Sequence, residues 1–464
     1  MPSTKNMPEL WLKFLEHKFG KDGGRAKVPN TNLDSRDKYP KVGVFTLMKT
    51  DDRFRAQLFH EYRRWRQALK AQAAKGTRRT PIRVKAEIPV PEGANIIHQL
   101  LKDAGHELYL VGGAVRDHVL GKKPKDFDLA TEAHPEKVIE LLSKDKRLSV
   151  QAETKGEAFG VVLVKDQEGE EYEIATFRED VGEGRRPDEV RFTTIDEDVA
   201  RRDLTINALF YDLDTKEIVD YVGGIKDAKE GVIKTVGRPK DRFREDKLRV
   251  LRVVRFAGRL GAEIDAETSK AIKDDPDLNE VSPERIRDEF VRGTASAKDP
   301  KHYLKMLEEL GLFDQMFPGL TVGKTYLDTP DPILQMVSLL RDNKQKKIGK
   351  VMRKMKYSDA EVQKVLFLLK MRDLSPTEAL KLKAVYQKLQ SMEKADIGAS
   401  DIMGAARALG KPAIDEVKAF VNFAESPPAL TGKDLIDRGM EPGAEMGRAM
   451  AKAEQEAYEA LLGS

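Results

Sequence analysis

The sequence predicts an α+β protein: a small mixed β-sheet domain over residues 90–222, an essentially all-helical remainder, and a basic extension ahead of both. Three observations carry this. Between residues 90 and 222, short apolar strands alternate with segments of helical spacing. Beyond Gly224 nothing convincingly strand-like recurs. Residues 1–86 hold 21 Lys+Arg against 8 Asp+Glu, so the basic excess is N-terminal although the whole chain nets only +4.

In chain order, the extension comes first. Its stretch RFRAQLFHEYRRWRQALK sets Arg63, Arg64 and Arg66 around Trp65, a mixture suited to phosphate contacts and base stacking. A solvated helix with a small aromatic core face is the alternative reading. TRRTPIRVKAEIPVPEGAN, with Pro81, Pro89 and Pro91, reads as a linker, and Pro91 then opens a helix through IIHQLLKDAG. The domain that follows reads LYLVGG as strand, AVRDHVLG as helix, DFDLAT as strand and PEKVIELLSK as helix. FGVVLVKDQEGEEYEIATF is a predicted hairpin about Gly169, and FYDLDTKEIVDYV a strand pair about Asp214 and Thr215. KLRVLRVVRFAGRL, SPERIRDEFVRG, KHYLKMLEELGLF and PILQMVSLLRD then carry helical apolar spacing.

Composition excludes several classes of chemistry. A chain of 464 residues exceeds one core at the usual ~100–200 residues per domain. With no cysteine there are no disulfides, thiolate metal sites or cysteine nucleophiles, which fits a reducing cytosol and a cytoplasmic protein. The last of seven histidines is His302, so the C-terminal third alone cannot assemble a His-based metal cluster or a Ser-His-Asp triad. No apolar run approaches the roughly 18 residues that span a bilayer, and the first residues lack the order of a signal peptide.

VGGAVRDHVLGKKPKDFDLAT concentrates the chemistry. Gly112 and Gly113 end a predicted strand and open a helix, where backbone can approach a phosphate. Asp126 and Asp128 alternate along a predicted strand, so both carboxylates project from one face. Two hard oxygen ligands on one face suit Mg²⁺ held jointly with substrate phosphates, although a lone Asp-X-Asp is common on surfaces. Glu173, in EYEIATF, adds a third carboxylate if its strand lies beside the first. An Arg-Arg-Asp run at Arg201, Arg202 and Asp203 reads by itself as a helix-surface charge cluster. Glu245, Asp246 and Arg249 read as neighbours on one long helix, where an ordinary i, i+3 ion pair would also account for them.

Taken together, Gly112-Gly113 with Arg116 and Asp117, Asp126-Phe127-Asp128, RRDLTINAL at 201–209 and DYVGGIKDAKEGVIKTVGRPKDRFREDKLRVLRVVRFA at 220–257 resemble the ordered motifs of class II tRNA nucleotidyltransferases. These are the CCA-adding enzymes and their bacterial poly(A) polymerase relatives. LTGKDLIDRGMEPGAEMGRAM resembles the family's tail, whereas the first 85 or so residues have no counterpart. The resemblance implies a mixed β-sheet nucleotidyltransferase head (90–222), a helical neck (223–297), body (298–395) and tRNA-binding tail (396–464), after an extension and linker (1–89).

It also implies template-independent addition of CCA to the tRNA 3′ end from CTP and ATP, releasing pyrophosphate. Asp126 and Asp128, with Glu173, would hold two Mg²⁺ ions. Gly112 and Gly113 would receive phosphates, and Arg116 would belong with the nucleotide-binding residues. Arg201, Arg202, Asp203 and Asn207 would bind the nucleotide, and Glu245, Asp246 and Arg249 would select its base. REDVGEGRRPDEVRF resembles the flexible loop of complete CCA-adding enzymes, with Glu183-Gly184 where the family more often has Asp-Gly. KRLSVQAETKGEAFG lacks the Arg-Arg-Phe signature usual in poly(A) polymerases. An A-adding or poly(A)-making relative and a catalytically silent RNA-binding homologue are the competing readings.

Overall fold

The computed structural model describes residues 80–151, 160–181, 189–391, 397–410 and 413–463. The chain divides into two compact units, Met1–Thr80 and Pro81–Ser464. Arg63, Arg64, Trp65 and Arg66 lie outside the described residues.

The head is built on one mixed sheet of eight strands: β1 (Ile82–Lys85), β2 (Leu108–Val111), β3 (Asp128–Thr131), β4 (Leu148–Gln151), β5 (Val161–Asp166), β6 (Glu171–Thr176), and, past a separate hairpin of β7 (Arg178–Val181) and β8 (Glu189–Phe192), β9 (Leu209–Asp212) and β10 (Glu217–Asp220). Their spatial order is β1-β10-β9-β2-β3-β6-β5-β4, and only β3 and β6 run parallel. Both expected hairpins form, β5–β6 about Gly169 at φ +92° and β9–β10 about residues 213–216. Strand β1 corrects the expectation of a linker. Its prolines flank the strand and interrupt no ladder, and Arg83 and Lys85 reach Glu217 on β10 at 3.3 and 3.4 Å.

Strand alternation splits the head into two cores. On one face, Leu110, Leu129 and Ile174 pack beneath Ile97 and Leu101 of α1 (Glu92–Asp103), with α2 (Gly113–Val119) alongside and Val138 and Leu142 of α3 (Pro135–Leu142) completing the layer. On the other, Tyr109, Val111, Ala130, Phe210 and Val219 pack with Phe177 and with Val199 of α4 (Ile195–Arg201).

Where β10 ends, the buried Asp220 accepts backbone N–H bonds from Val222, Gly223, Gly224 and Ile225 at 2.8–3.0 Å, which starts α5 (Gly224–Glu230). Gly224 must be glycine, because a Cβ there would stand 2.1 Å from the Thr205 carbonyl. The segment thus clamps the turn at residues 205–207 that carries Asn207. Asp220→Ala leaves four buried or half-buried N–H groups without their acceptor and is expected to lower unfolding free energy by about 3 kcal/mol or more. Chemical denaturation of the variant checks this, and an unchanged midpoint would contradict it.

After α5 come β11 (Val232–Ile233), α6 (Pro239–Glu245), α7 (Leu248–Leu260), β12 (Glu263–Ile264), paired with β11, α8 (Ala266–Asp274) and α9 (Pro283–Ser296). Apart from that two-residue pairing, the described residues beyond Gly224 are helical or irregular, as expected. Helix α7 buries Val250, Val253, Val254 and Ala257 against a core that continues through Ile286 and Phe290 of α9. Then come α10 (Pro300–Glu309), α11 (Phe313–Met316), α12 (Pro332–Leu340), α13 (Gln345–Lys354), α14 (Asp359–Lys370), α15 (Pro376–Gln390), α16 (Ala399–Leu409), α17 (Ile414–Glu425), α18 (Gly432–Asp437) and α19 (Ala444–Leu462). The last helix is fastened by Tyr458 against Phe423, ring centroids 5.1 Å apart, and by the Lys383–Glu454 ion pair at 2.8 Å. Among the described residues no helix is long and apolar enough to cross a membrane.

Candidate active site

Asp128 opens β3 opposite Val111, and the parallel register that pairs Leu129 with Ile174 sets Glu173 beside it on the same face. Asp126 is not in the strand, contrary to expectation. Strand β2 ends at Val111 because Gly112 turns the chain into α2, so Asp126 has no ladder partner there and lies exposed in the preceding loop. It remains near enough to act on its neighbour: burial pushes the Asp128 carboxyl above its ordinary range, and the Glu173 and Asp126 carboxylates push it further, against the pull of Arg202. The three carboxylates and Arg202 therefore share one face.

Gly112 sits at φ +67° and ψ −118°, a conformation that a side chain would strain, and its N–H is spent on the Leu209 carbonyl at 3.1 Å. A Cβ on it would lie 3.9 Å from Arg202 Nη1. The Asn207 carbonyl lies at the same distance, so the turn packs in contact with both. Arg116, expected among the nucleotide-binding residues, is buried: Nε and Nη2 donate to Asp117 at 2.9 and 2.7 Å, and Nη1 donates to Asn207 Oδ1 at 2.7 Å. Its guanidinium ties α2 to the Asn207 turn, which leaves it little capacity for a ligand.

Arg201 and Arg202 share one buried carboxylate, that of Asp198, three and four residues earlier on α4, at 2.7 and 3.0 Å. So clamped, the Arg202 guanidinium lies 4.5 Å from the Phe210 ring centroid on the carboxylate face. Asp203 accepts from Arg252 Nε and Nη2 at 2.7 and 2.6 Å, from the Leu204 N–H at 2.8 Å and from Asn207 Nδ2 at 3.4 Å. Burial works to raise its carboxyl, but Arg252 and these hydrogen bonds together outweigh it and hold the group below the ordinary range.

Glu245, Asp246 and Arg249 are not on one continuous helix, which corrects the sequence expectation. The chain breaks at Asp246 (φ −150°, ψ 108°), whose Oδ1 accepts from the Leu248 N–H at 2.9 Å and so helps to start α7. Its Oδ2 accepts from Arg285 on α9 at 3.0 Å. Arg249 pairs with Glu245 rather than Asp246, at 2.8 Å, and donates to the Arg201 carbonyl at 2.9 Å; Glu245 also accepts from Arg242. Residues of α4, α6, α7 and α9 are thereby tied together by polar contacts.

Asp198, Arg252 and Arg285 were not singled out from sequence. The first lies at i−3 and i−4 from the two arginines and the second at i+3 from Arg249, so helical spacing was a usable signal for both. Arg285 meets Asp246 across 39 residues, and no local pattern announces it.

Among the described residues no three acidic or histidine side chains gather closely enough to hold an ion unaided. The donors nonetheless fit magnesium, which takes one or two carboxylates and fills its remaining positions with water and phosphate oxygens. The mutual repulsion of Asp128 with Glu173 and Asp126 is what a divalent cation would relieve.

Two family models match the chain: "Poly A polymerase head domain" over residues 108–234 and "Probable RNA and SrmB- binding site of polymerase A" over residues 261–323. A CCA-adding enzyme of Lactobacillus helveticus is 36% identical over 378 residues, which cover 76% of this chain and 89% of that one. Poly(A) polymerase I of Escherichia coli is 38% identical over 247 residues, 50% of this chain and 51% of that one. The crystal structure of the Bacillus stearothermophilus CCA-adding enzyme in complex with CTP superposes with a TM-score of 0.60 at 27% identity, covering 79% of this chain and 92% of that one. The motifs, the head topology and a relationship that covers about three quarters of the chain agree, and the chain belongs to the nucleotidyltransferase family of CCA-adding enzymes and bacterial poly(A) polymerases.

Proposed function

We propose that this chain adds or repairs the 3′-terminal CCA of tRNA from CTP and ATP without a nucleic-acid template. The observation that carries the reading is the face shared by Asp126, Asp128 and Glu173 with Arg202, beside the strand-to-helix turn at Gly112. Two Mg²⁺ ions held by Asp126 and Asp128, with Glu173 beside them, would activate the primer 3′ hydroxyl and neutralise the triphosphate for in-line displacement of pyrophosphate. Arg202, clamped by Asp198, orients charge toward the phosphates. Gly113 and the first turn of α2 offer N–H groups to them. Asp203 and Asn207 fix the ribose end, with Arg252 holding the Asp203 carboxylate ionised. Arg116 and Arg201 support the pocket through their partners. Asp246 accepts and Arg249 donates, a pattern complementary to a base edge.

The relationship to CCA-adding enzymes extends along far more of the chain than that to poly(A) polymerase, which favours the CCA reading over poly(A) synthesis. Supplying tRNAs that end at the discriminator base, at C or at CC with CTP and ATP separately tests it. CTP alone should extend the first by two residues and the second by one, and ATP alone should extend only the third, by one. ATP incorporation on all three would instead identify a poly(A)-making enzyme, and ATP addition to the third with no CTP incorporation on the first two an A-adding one.

A further inference from the structure

Helix α13 divides sharply. Ile348, Val351 and Met352 are buried in the body core, whereas Lys346, Lys347, Lys350, Arg353 and Lys354 are exposed, with Lys344 and Lys356 exposed at its ends. Residues 344–356 hold seven cations and no anion. Among the described residues only Arg353 of these has a carboxylate partner, Asp359 at 2.9 Å. An ordinary solvated helix face mixes signs. Here Lys346, Lys350 and Lys354 repel at i, i+4 spacing, and Lys346 and Lys347 in the first turn oppose the helix dipole that Arg353 and Lys354 complement in the last, so the charge at the start of the helix works against it. A polyanion laid along the face would reverse both effects. The tail to which the family resemblance assigned tRNA binding is the opposite: residues 396–464 hold seven cations against twelve anions.

Position joins charge. Arg285 of α9 binds Asp246, and two residues on, Arg287 donates to the Lys356 carbonyl just past α13. The basic face is thus fastened to the helix that contacts the base-selecting carboxylate. Past Arg353, a groove lined also by its partner Asp359 and by Gln363 and Val385 reaches the exposed Lys388.

We propose that the outer face of α13 binds the phosphate backbone of the tRNA, and that it supplies affinity the acidic tail does not. The inference rests on the reading of this chain as a tRNA-extending enzyme. In the full-length protein, Lys346→Gln, Lys350→Gln and Lys354→Gln are combined, and a companion combines Lys433→Gln, Arg448→Gln and Lys452→Gln in the tail. Affinity for tRNA is measured at several salt concentrations, together with the rate of nucleotide addition at saturating tRNA. Every phosphate left without its cation flattens the plot of log affinity against log salt by about 0.7 to 0.9, so the α13 variant should flatten it by about 2 to 3 and weaken binding roughly tenfold or more at low salt. Its maximal rate should hold, and lysine-to-arginine replacements at the same three positions should bind as the parent does. Unchanged affinity and slope in the α13 variant would overturn the proposal, as would an equal or larger loss in the tail variant, or a loss shared by the arginine variant. Should the parent bind tRNA without extending it, the functional reading fails, while the binding comparison still decides the surface.

Discussion

Asp128→Ala is expected to reduce nucleotide addition by a factor of roughly a hundred or more while tRNA binding survives, the usual scale for removing a positioned electrostatic element. The missing carboxylate faces Glu173, Asp126 and Arg202, and its proposed role is to hold metal, so binding and chemistry should separate. Its side chain opens β3 without being part of either core, and it carries both burial and like-charge repulsion. Replacing it should therefore leave thermal stability unchanged or raised. Asp126→Ala should show the same kinetic loss, its exposure making a folding defect still less of a concern. Single-turnover extension under saturating magnesium checks both, and near-normal rates in either variant would remove that residue from the chemistry.

Selection among bases should collapse when either Asp246 or Arg249 becomes alanine. A site that pairs with a polar edge rejects the wrong base because mismatch strands buried groups, and discrimination of about two orders of magnitude or more can rest on it. Each group is held by other protein groups, Asp246 by Arg285 and the Leu248 N–H, Arg249 by Glu245 and the Arg201 carbonyl. Those bonds fix the direction of acceptor and donor. Ratios of kcat/KM for CTP, ATP, UTP and GTP should converge in the variants while triphosphate affinity changes less. Equal loss for all four nucleotides, with the ratios intact, would make the pair structural.

What the sequence conveyed of this molecule depended on how local the cause was. Hairpins turning at Gly169 and at residues 213–216, the Gly112 turn and the long apolar stripe of α7 are set by neighbours in the chain, and they stand where expected. The proline-rich stretch around Ile82–Lys85 became a strand because β10 offered it an edge 130-odd residues away. Asp126 fell outside β3 because the strand beside it had already ended. The break at Asp246 comes from hydrogen bonds of its own side chain to Leu248 and Arg285, which no helical periodicity reveals. Arg116 shows the same limit at the site: its residue type does not reveal that Asp117 and Asn207 hold its guanidinium.

Extension of a tRNA that ends at its discriminator base, with CTP and ATP both in excess and the product sequenced at its 3′ end, tests the central claim most directly. The account predicts C, C and A, followed by a stop. A run of adenosines, a mixed tail that continues growing, or an unextended 3′ end would contradict it.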